Sequence, residues 1–176
     1  MAQASHGDGS VSEGAEARTE AADSAPPAVA VHPPVLFPAL LLVGLLLEEF
    51  VPLSVGEWPE WLRFGVGGGA VVAAVALAGW AMLTFQRAGT SIPTFRPALG
   101  LVVGGPYRFT RNPMYVGLVL LLAGLGFVLA SAWVLLLAPV FVVLLDRLVI
   151  AREEAYLAAR FGEPYRRYRA GVRRWI

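Results

Sequence analysis

Long apolar runs are the feature that most constrains this chain. Four of them cover residues 35–55, 61–85, 114–130 and 133–150. A helix needs about 20 apolar residues to cross the hydrocarbon core of a bilayer. The first run is interrupted after about 13 residues by Glu48 and Glu49, so it spans only if these carboxylates lie at the outer surface or face the bundle. The pattern predicts an all-α integral membrane bundle of about four transmembrane helices, in one domain over residues 35–176.

Composition excludes several classes of chemistry. Hydrophobic residues make up 57% of the chain and charged residues 15%, whereas soluble domains carry about a quarter charged residues. The absence of cysteine excludes disulfides, thiol nucleophiles and cysteine-ligated metals. His6 and His32, the only histidines, precede the first apolar run, so the membrane domain has no histidine for metal binding or general base catalysis. We therefore expect neither a metal nor a nucleic acid as a partner.

The N-terminal stretch, residues 1–34, differs from the rest of the chain. It is rich in Ala, Ser, Glu and Pro and has no apolar periodicity. This composition predicts a disordered tail. The stretch does not match a secretory signal, because no basic start is followed directly by an apolar segment.

Arginine placement predicts the orientation. From Arg87 to the end there are twelve arginines against four acids, concentrated in the 86–113 loop and after residue 146. Cytoplasmic segments of membrane proteins are enriched in Lys and Arg. The third and fourth runs are joined only by "ASAW", so they form a tight hairpin that puts both arginine-rich segments on one side. Both termini are therefore predicted to be cytoplasmic, and the acidic loop 56–60 external.

The second run carries two features typical of transmembrane helices. Trp58 and Trp61 are expected to anchor it at the interface. Gly65 and Gly69 form a small-xxx-small pair, which predicts close approach of a neighbouring helix on that face.

The C-terminal region predicts two further helical segments. The fourth run continues as "DRLVIAREEAYLAAR", Gly162 suits its C-terminal end, and Pro164 suits the start of another helix. Spacings of three and four then predict an amphipathic basic helix at the cytoplasmic membrane surface. Arg174 falls on its basic face, where we expect it to have no effect on ligand binding. The apolar face comprises Phe161, Tyr165, Tyr168, Val172 and Trp175.

Two motifs on either side of the predicted hairpin carry a family resemblance. The first is "GPYRFTRNPMYVG", residues 105–117, and the second is "EEAYLAARFGEPYRRYRAGVRRWI", residues 153–176. Together they resemble the isoprenylcysteine carboxyl methyltransferase family, whose signatures are G-x-Y-x-x-x-R-[HN]-P-x-Y-x-G and then E-E-x-x-L with F-G-x-x-Y-x-x-Y. That family shares its plan with bacterial phospholipid N-methyltransferases. The resemblance covers residues 86–176, which are therefore expected to form the catalytic half.

The resemblance implies S-adenosylmethionine as the cofactor and a lipophilic or lipid-linked acceptor that enters from the bilayer between helices. It implies catalytic roles for Arg111, Asn112 and Tyr115. Cofactor contacts are implied at Leu99, Gly100, Leu101, Val102, Tyr107, Asn112, Pro113, Met114, Tyr115 and Glu153, to which we add the adjacent Glu154.

These residue types fit a cofactor that carries a sulfonium, an amino-acid head, a ribose and an adenine. Arg111 and Tyr115 are four residues apart and so share a helix face. The predicted hairpin returns Glu153 to the side where Arg111 lies, so we expect Glu153 to hold the cofactor with Arg111 against it. Glu154 lies about 100° around the helix and should matter less. The alternative is that both glutamates belong to a solvated helix face. Tyr165 and Tyr168 fit a pocket wall and an interfacial belt equally well.

The acceptor is less constrained. Methylation of a carboxylate needs no general base, because the nucleophile is already ionised at neutral pH. A site without histidine or cysteine therefore favours a carboxylate over an amine. Eukaryotic members have histidine where Asn112 stands, and an arginine thought to meet the substrate where Val149 stands. Arg147 and Arg152, close to that position, are the substrate-binding candidates.

Three alternatives remain open. A phospholipid amine N-methyltransferase would have the same architecture. A membrane reductase of the sterol-reductase type shares an R-H-P-x-Y-x-G-like stretch but binds NADPH. A non-enzymatic scaffold would leave the paired motifs unexplained. The lack of lysine and cysteine, with heavy use of Ala, Gly, Val and Arg, indicates a GC-rich bacterial genome and hence a bacterial cytoplasmic membrane.

Overall fold

A computed structural model describes residues 33–53, 56–90 and 98–176. The predicted disordered tail lies outside the described residues except for Pro33 and Pro34, which begin the first helix. The part of the 86–113 loop from 91 to 97 also lies outside them.

Helices make up most of the described chain, and those residues contain no β-strand. This confirms the all-α prediction. The helices are α1 (Pro33–Phe50), α2 (Trp61–Arg87), α3 (Pro113–Val128), α4 (Ala132–Phe161) and α5 (Glu163–Gly171). A short 3-10 turn, Gly105–Arg108, precedes α3. The first residues of α2 (Trp61–Gly67) and the middle of α4 (Leu145–Ile150) are wound as π-helix.

Three of these helices, α1, α2 and α4, are long and apolar enough to cross a membrane. The fourth, α3, has 16 residues and so is about 24 Å long, a little less than the hydrocarbon thickness of about 30 Å. It packs against α1, α2 and α4. The predicted count of about four membrane helices therefore holds, with α3 as the central one.

Proline and glycine set the helix ends that matter for the site. Pro113 occupies the first turn of α3, where a missing N–H costs nothing. Gly162 separates α4 from α5 with φ +55° and ψ −125°, a conformation that a side chain would strain. Pro164 then lies in the first turn of α5. The predicted helical continuation of the fourth run is thus confirmed as far as Phe161, but α5 ends at Gly171 instead of continuing to Trp175.

The α3–α4 hairpin is as tight as its sequence predicts. Ala130 adopts φ +54°, and the Ser131 hydroxyl accepts a hydrogen bond from Val134 N at the start of α4. The same hydroxyl donates to Glu48 Oε2 at 2.8 Å, so the end of α1 is fastened to this hairpin. Glu48 is half-buried and Glu49 exposed, at the end of the bundle opposite the two motifs. The interrupted first run therefore does form a helix that ends in carboxylates.

Glycines allow α2 and α3 to approach closely, although not the pair that the sequence predicts. A Cβ on Gly67 would lie 2.7 Å from Phe127 Cβ and 2.9 Å from the Gly124 carbonyl oxygen. A Cβ on Gly65 or Gly69 would meet nothing within 4 Å. The prediction for Gly65 and Gly69 is therefore wrong, because this face of α2 does not meet a described neighbour.

Candidate active site

The two motifs meet at one end of the bundle, as the hairpin topology predicts. The 3-10 turn carries Tyr107 and the start of α3 carries Tyr115, while the later part of α4 brings the glutamates and α5 brings Tyr168. The Phe85 and Tyr107 rings contact edge to face at 5.2 Å. The Tyr168 hydroxyl donates to the Tyr107 carbonyl oxygen at 2.8 Å, which fixes α5 against the turn.

A cavity of about 70 Å³ lies at this junction. Of the residues implied by the family resemblance, it is lined by Gly100, Leu101, Val102, Tyr107, Arg111, Asn112, Met114, Tyr115, Glu153 and Glu154. It is also lined by Phe85, Leu157, Tyr165 and Tyr168. The two tyrosines thus belong to the cavity wall. Phe85 and Leu157 were missed. Helical register was the only signal for them: Leu157 lies one turn after Glu153, and Phe85 lies one turn after Ala81.

Four predicted site residues lie elsewhere. Leu99 is 73% exposed, and Pro113 is buried at the start of α3 without lining the cavity. Arg147 and Arg152 are exposed on α4 and do not line it. The structure therefore does not bring the two substrate candidates to the cavity.

Glu153 is buried at 8% exposure and accepts a hydrogen bond from the Tyr115 hydroxyl at 2.8 Å. The bond joins the first motif to the second across the α3–α4 hairpin. A carboxylate buried among aromatic side chains is costly unless it is hydrogen-bonded or paired. Glu153 therefore places an acidic group in an otherwise largely apolar wall.

Arg111 pairs with Glu154 and not with Glu153. Its Nη2 and Nε donate to Glu154 Oε1 at 2.7 and 3.2 Å. Its Nη1 donates to the carbonyl oxygens of Arg169 and Val172 at 2.9 and 2.6 Å. These bonds use four of the five N–H donors of a guanidinium. The expected partner is thus corrected by one residue, because the turn of about 100° between adjacent positions of α4 presents Glu154 to Arg111.

Arg174 has a different place from the one predicted. Its Nη2 and Nε donate to Glu154 at 2.5 and 3.1 Å, and its Nη1 donates to both carboxylate oxygens of Asp146 at 3.0 and 3.1 Å. The hydrogen bonds to these carboxylates raise the pKa of the Arg174 guanidinium above its ordinary value. The predicted position of Arg174 on the basic face of the last helix is therefore wrong. Because α5 ends at Gly171, the chain turns back towards α4 and carries Arg174 inward.

The loop before the first motif forms another wall of the cavity. Thr90 Oγ1 accepts from the backbone N–H groups of Leu99 and Gly100 at 2.9 and 3.1 Å. The Tyr156 hydroxyl accepts from Ala98 N at 3.1 Å, and Arg160 Nε donates to the Ala98 carbonyl oxygen at 2.7 Å. The end of α4 therefore holds residues 98–100 beside the cavity.

Burial controls the protonation of the tyrosines at this site. It raises the pKa of Tyr165 to about 12, and it raises the pKa of Tyr107 and Tyr168 above the ordinary phenol range. All three hydroxyls thus stay neutral at physiological pH and can donate hydrogen bonds. The site combines two buried carboxylates, one buried guanidinium and neutral aromatic walls. Within the described ranges, no group of three His, Asp or Glu side chains is arranged to hold a metal ion.

Comparisons with known proteins agree with the motifs. The sequence profile of the family described as phospholipid methyltransferase matches residues 62–164. An uncharacterized protein of Haemophilus influenzae is 40% identical over 63 residues, which is 36% of this chain and 100% of that protein. No solved structure matches. The family match over residues 62–164 covers more than half of the chain. It contains four residues that the fold gathers at one site: Arg111, Tyr115, Glu153 and Glu154. The protein belongs to the phospholipid methyltransferase family of membrane methyltransferases.

Proposed function

We propose that the protein transfers the methyl group of S-adenosylmethionine to an amphiphilic acceptor from the bilayer, and that the acceptor group is a carboxylate. The observation that carries the proposal is the cavity itself. Family membership makes the chain a methyltransferase, and the cavity offers groups suited to such a cofactor at the junction of the two motifs.

The residues present fit that cofactor chemically. Glu153 offers a carboxylate for the ammonium group or for ribose hydroxyls. The rings of Phe85, Tyr107 and Tyr168 offer apolar faces for an adenine and favour a nearby cation. Ligand pockets typically measure about 300–1,000 Å³, whereas this cavity measures about 70 Å³. Binding must therefore push lining side chains outward.

The chemistry asks little of the protein beyond placement. When bound, the cofactor supplies an electrophilic methyl group on a positively charged sulfur. The aromatic walls exclude water. Glu153, held by the hydrogen bond from the Tyr115 hydroxyl, would fix the polar groups of the cofactor in one arrangement. Alignment and desolvation then account for rate enhancement. No proton has to be removed from a carboxylate acceptor at neutral pH, which suits a site built without histidine or cysteine.

An apolar groove supports a lipophilic acceptor. It holds about 290 Å³ between α2 and α3 and runs from Met82 and Leu118 to Ala74 and Leu121. Phe85 lies one helical turn after Met82 on α2, and Met114 lies one turn before Leu118 on α3, so these two cavity residues continue the same helix faces. An acyl or prenyl chain in this groove would bring its polar end to the cavity.

The acceptor chemistry can be tested directly. Purified protein, radiolabelled S-adenosylmethionine and lipid extracted from the source membrane should yield a labelled lipid whose methyl group is released by mild base, as expected of an ester. Label that resists base would identify an N-methylated product, as the family description favours, and would replace the carboxylate with an amine. No labelled lipid at all would refute methyl transfer to a lipid acceptor.

A further inference from the structure

The last five residues cross the first motif like a strap. We call residues 172–176 the C-terminal strap. Arg111 N donates to the Arg173 carbonyl oxygen at 2.9 Å. The Arg174 carbonyl oxygen accepts from Asn112 Nδ2 at 2.9 Å and from Thr110 Oγ1 at 3.1 Å. Motif residues implied to act on ligands therefore bind the main chain of the strap.

Arg174 fastens the strap to α4 at two points one above the other. Asp146 and Glu154 are eight residues apart on α4, and the guanidinium bridges their side chains. Trp175 adds a bond from its Nε1 to Asp146 Oδ1 at 3.2 Å and packs against the buried core. Among the described residues, Arg174 is the one arginine that pairs with both Asp146 and Glu154.

Glu154 lies between two arginines, and this arrangement connects the strap to the cavity. Its Oε1 accepts from both Arg111 and Arg174, and its Oε2 accepts from Arg174. The Glu154 side chain is 7% exposed and that of Arg111 is 10% exposed, so the shared carboxylate is shielded from water. In such surroundings a charge pair is stronger than at the surface, and loss of one partner leaves the others poorly satisfied.

We propose that Arg174 is a positioning residue for cofactor binding: by pairing with Glu154 and Asp146 it holds the C-terminal strap against the first motif and keeps Arg111 and Glu154 in place in the cavity wall. This inference rests on the proposed function. Without Arg174, Glu154 and Arg111 would keep their mutual pair but lose the contacts that tie it to Asp146 and to the C-terminal strap. The cavity would then have to be ordered during binding, and that cost would lower the affinity for the cofactor.

A double-mutant cycle on S-adenosylhomocysteine binding tests the proposal. Arg174→Gln and Glu154→Gln should each lower the affinity about ten- to a hundredfold. The double variant should bind as tightly as whichever single variant has the lower affinity, because both changes remove the same interaction. Arg174→Lys should recover only part of the loss, because an ammonium cannot reproduce the guanidinium fork that bridges both carboxylates. In methyl transfer, the apparent KM for the cofactor should rise by the same factor while kcat at saturating cofactor stays within about twofold.

Arg167→Gln is the matched control, since its side chain is 74% exposed on α5 and pairs only loosely with Glu163 at 3.9 Å. It should bind as the wild type does. Wild-type affinity in Arg174→Gln, or losses that simply add in the double variant, would overturn the positioning role. If Arg174→Gln does not fold, Arg174→Lys carries the test alone, and wild-type affinity in it contradicts the bridging geometry. Absence of binding in the wild-type protein itself would instead refute the proposed function.

Discussion

Adjacent glutamates in α4 have different partners, and so their loss should have different consequences. Glu154 is held by Arg111 and Arg174, whereas Glu153 accepts from the Tyr115 hydroxyl and faces the cavity. Glu154 therefore connects α4 to the first motif and to the C-terminal strap, and Glu153 is the better candidate for a cofactor ligand.

We expect Glu153→Gln to weaken S-adenosylhomocysteine binding about ten- to a hundredfold, because a charge-assisted hydrogen bond contributes about 1.5–3 kcal/mol. Its thermal stability should change little, since the amide can still accept from Tyr115. Glu154→Gln should lower the free energy of unfolding by about 1.5–3 kcal/mol, because two ion pairs become hydrogen bonds from charged guanidinium groups to an uncharged amide. Thermal unfolding in detergent measures the stability, and calorimetric titration measures the affinity. Equal stability losses in the two variants would contradict this division.

At the same scale, the family resemblance implied nine of the fourteen cavity residues and adjacency to Glu153 added Glu154, whereas sequence spacing misplaced Arg174. The spacing that put Arg174 on a basic helix face holds only while the helix continues. Gly171 interrupts it, and a glycine near a helix end is the signal that could have shown this. Arg111 was predicted to lie against Glu153 and instead pairs with Glu154, because a register difference of one residue depends on how α4 is rotated in the bundle.

At the scale of elements, the groove between α2 and α3 gives a sharper test than the cavity does. Gly79 lines it, and a Cβ there would meet nothing within 4 Å. Gly79→Val should therefore fill the groove without disturbing the fold. Methyl transfer to a long-chain acceptor should fall at least tenfold, while S-adenosylhomocysteine affinity stays unchanged.

Gly69→Val provides the control for the groove. Gly69 is exposed on the same helix, its Cβ position is also open, and it lies outside the groove. Methyl transfer to the long-chain acceptor and the affinity for S-adenosylhomocysteine should both remain at wild-type level in this variant. A Gly79→Val enzyme as active as Gly69→Val would show that the acceptor chain lies elsewhere.

The helices themselves followed from the apolar runs, whereas their contact faces did not. Gly67, and not Gly65 or Gly69, meets α3. The first seven residues of α2 are π-helical, so residues four apart do not stack there as in an α-helix. A spacing rule that assumes 3.6 residues per turn therefore assigns the wrong face.

For the molecule as a whole, arginine placement predicts a cytoplasmic cavity. Tags at the N-terminus and at Ile176 should both be cytoplasmic, and a tag at Glu57 should be external. Reporter fusions or protease access in sealed vesicles measure this. An external N-terminus with a cytoplasmic Ile176 would mean that an odd number of the helices cross the membrane, with α1 or the shorter α3 as the helix that does not.

The central claim is that the junction of the two motifs binds S-adenosylmethionine, and calorimetric titration of the purified protein with S-adenosylhomocysteine tests it most directly. We predict saturable binding at one site, with a matching rise in thermal stability at ligand concentrations above Kd. The same titration with NADPH should show no binding. Binding of NADPH without binding of S-adenosylhomocysteine would contradict the account and would assign the site to a reductase.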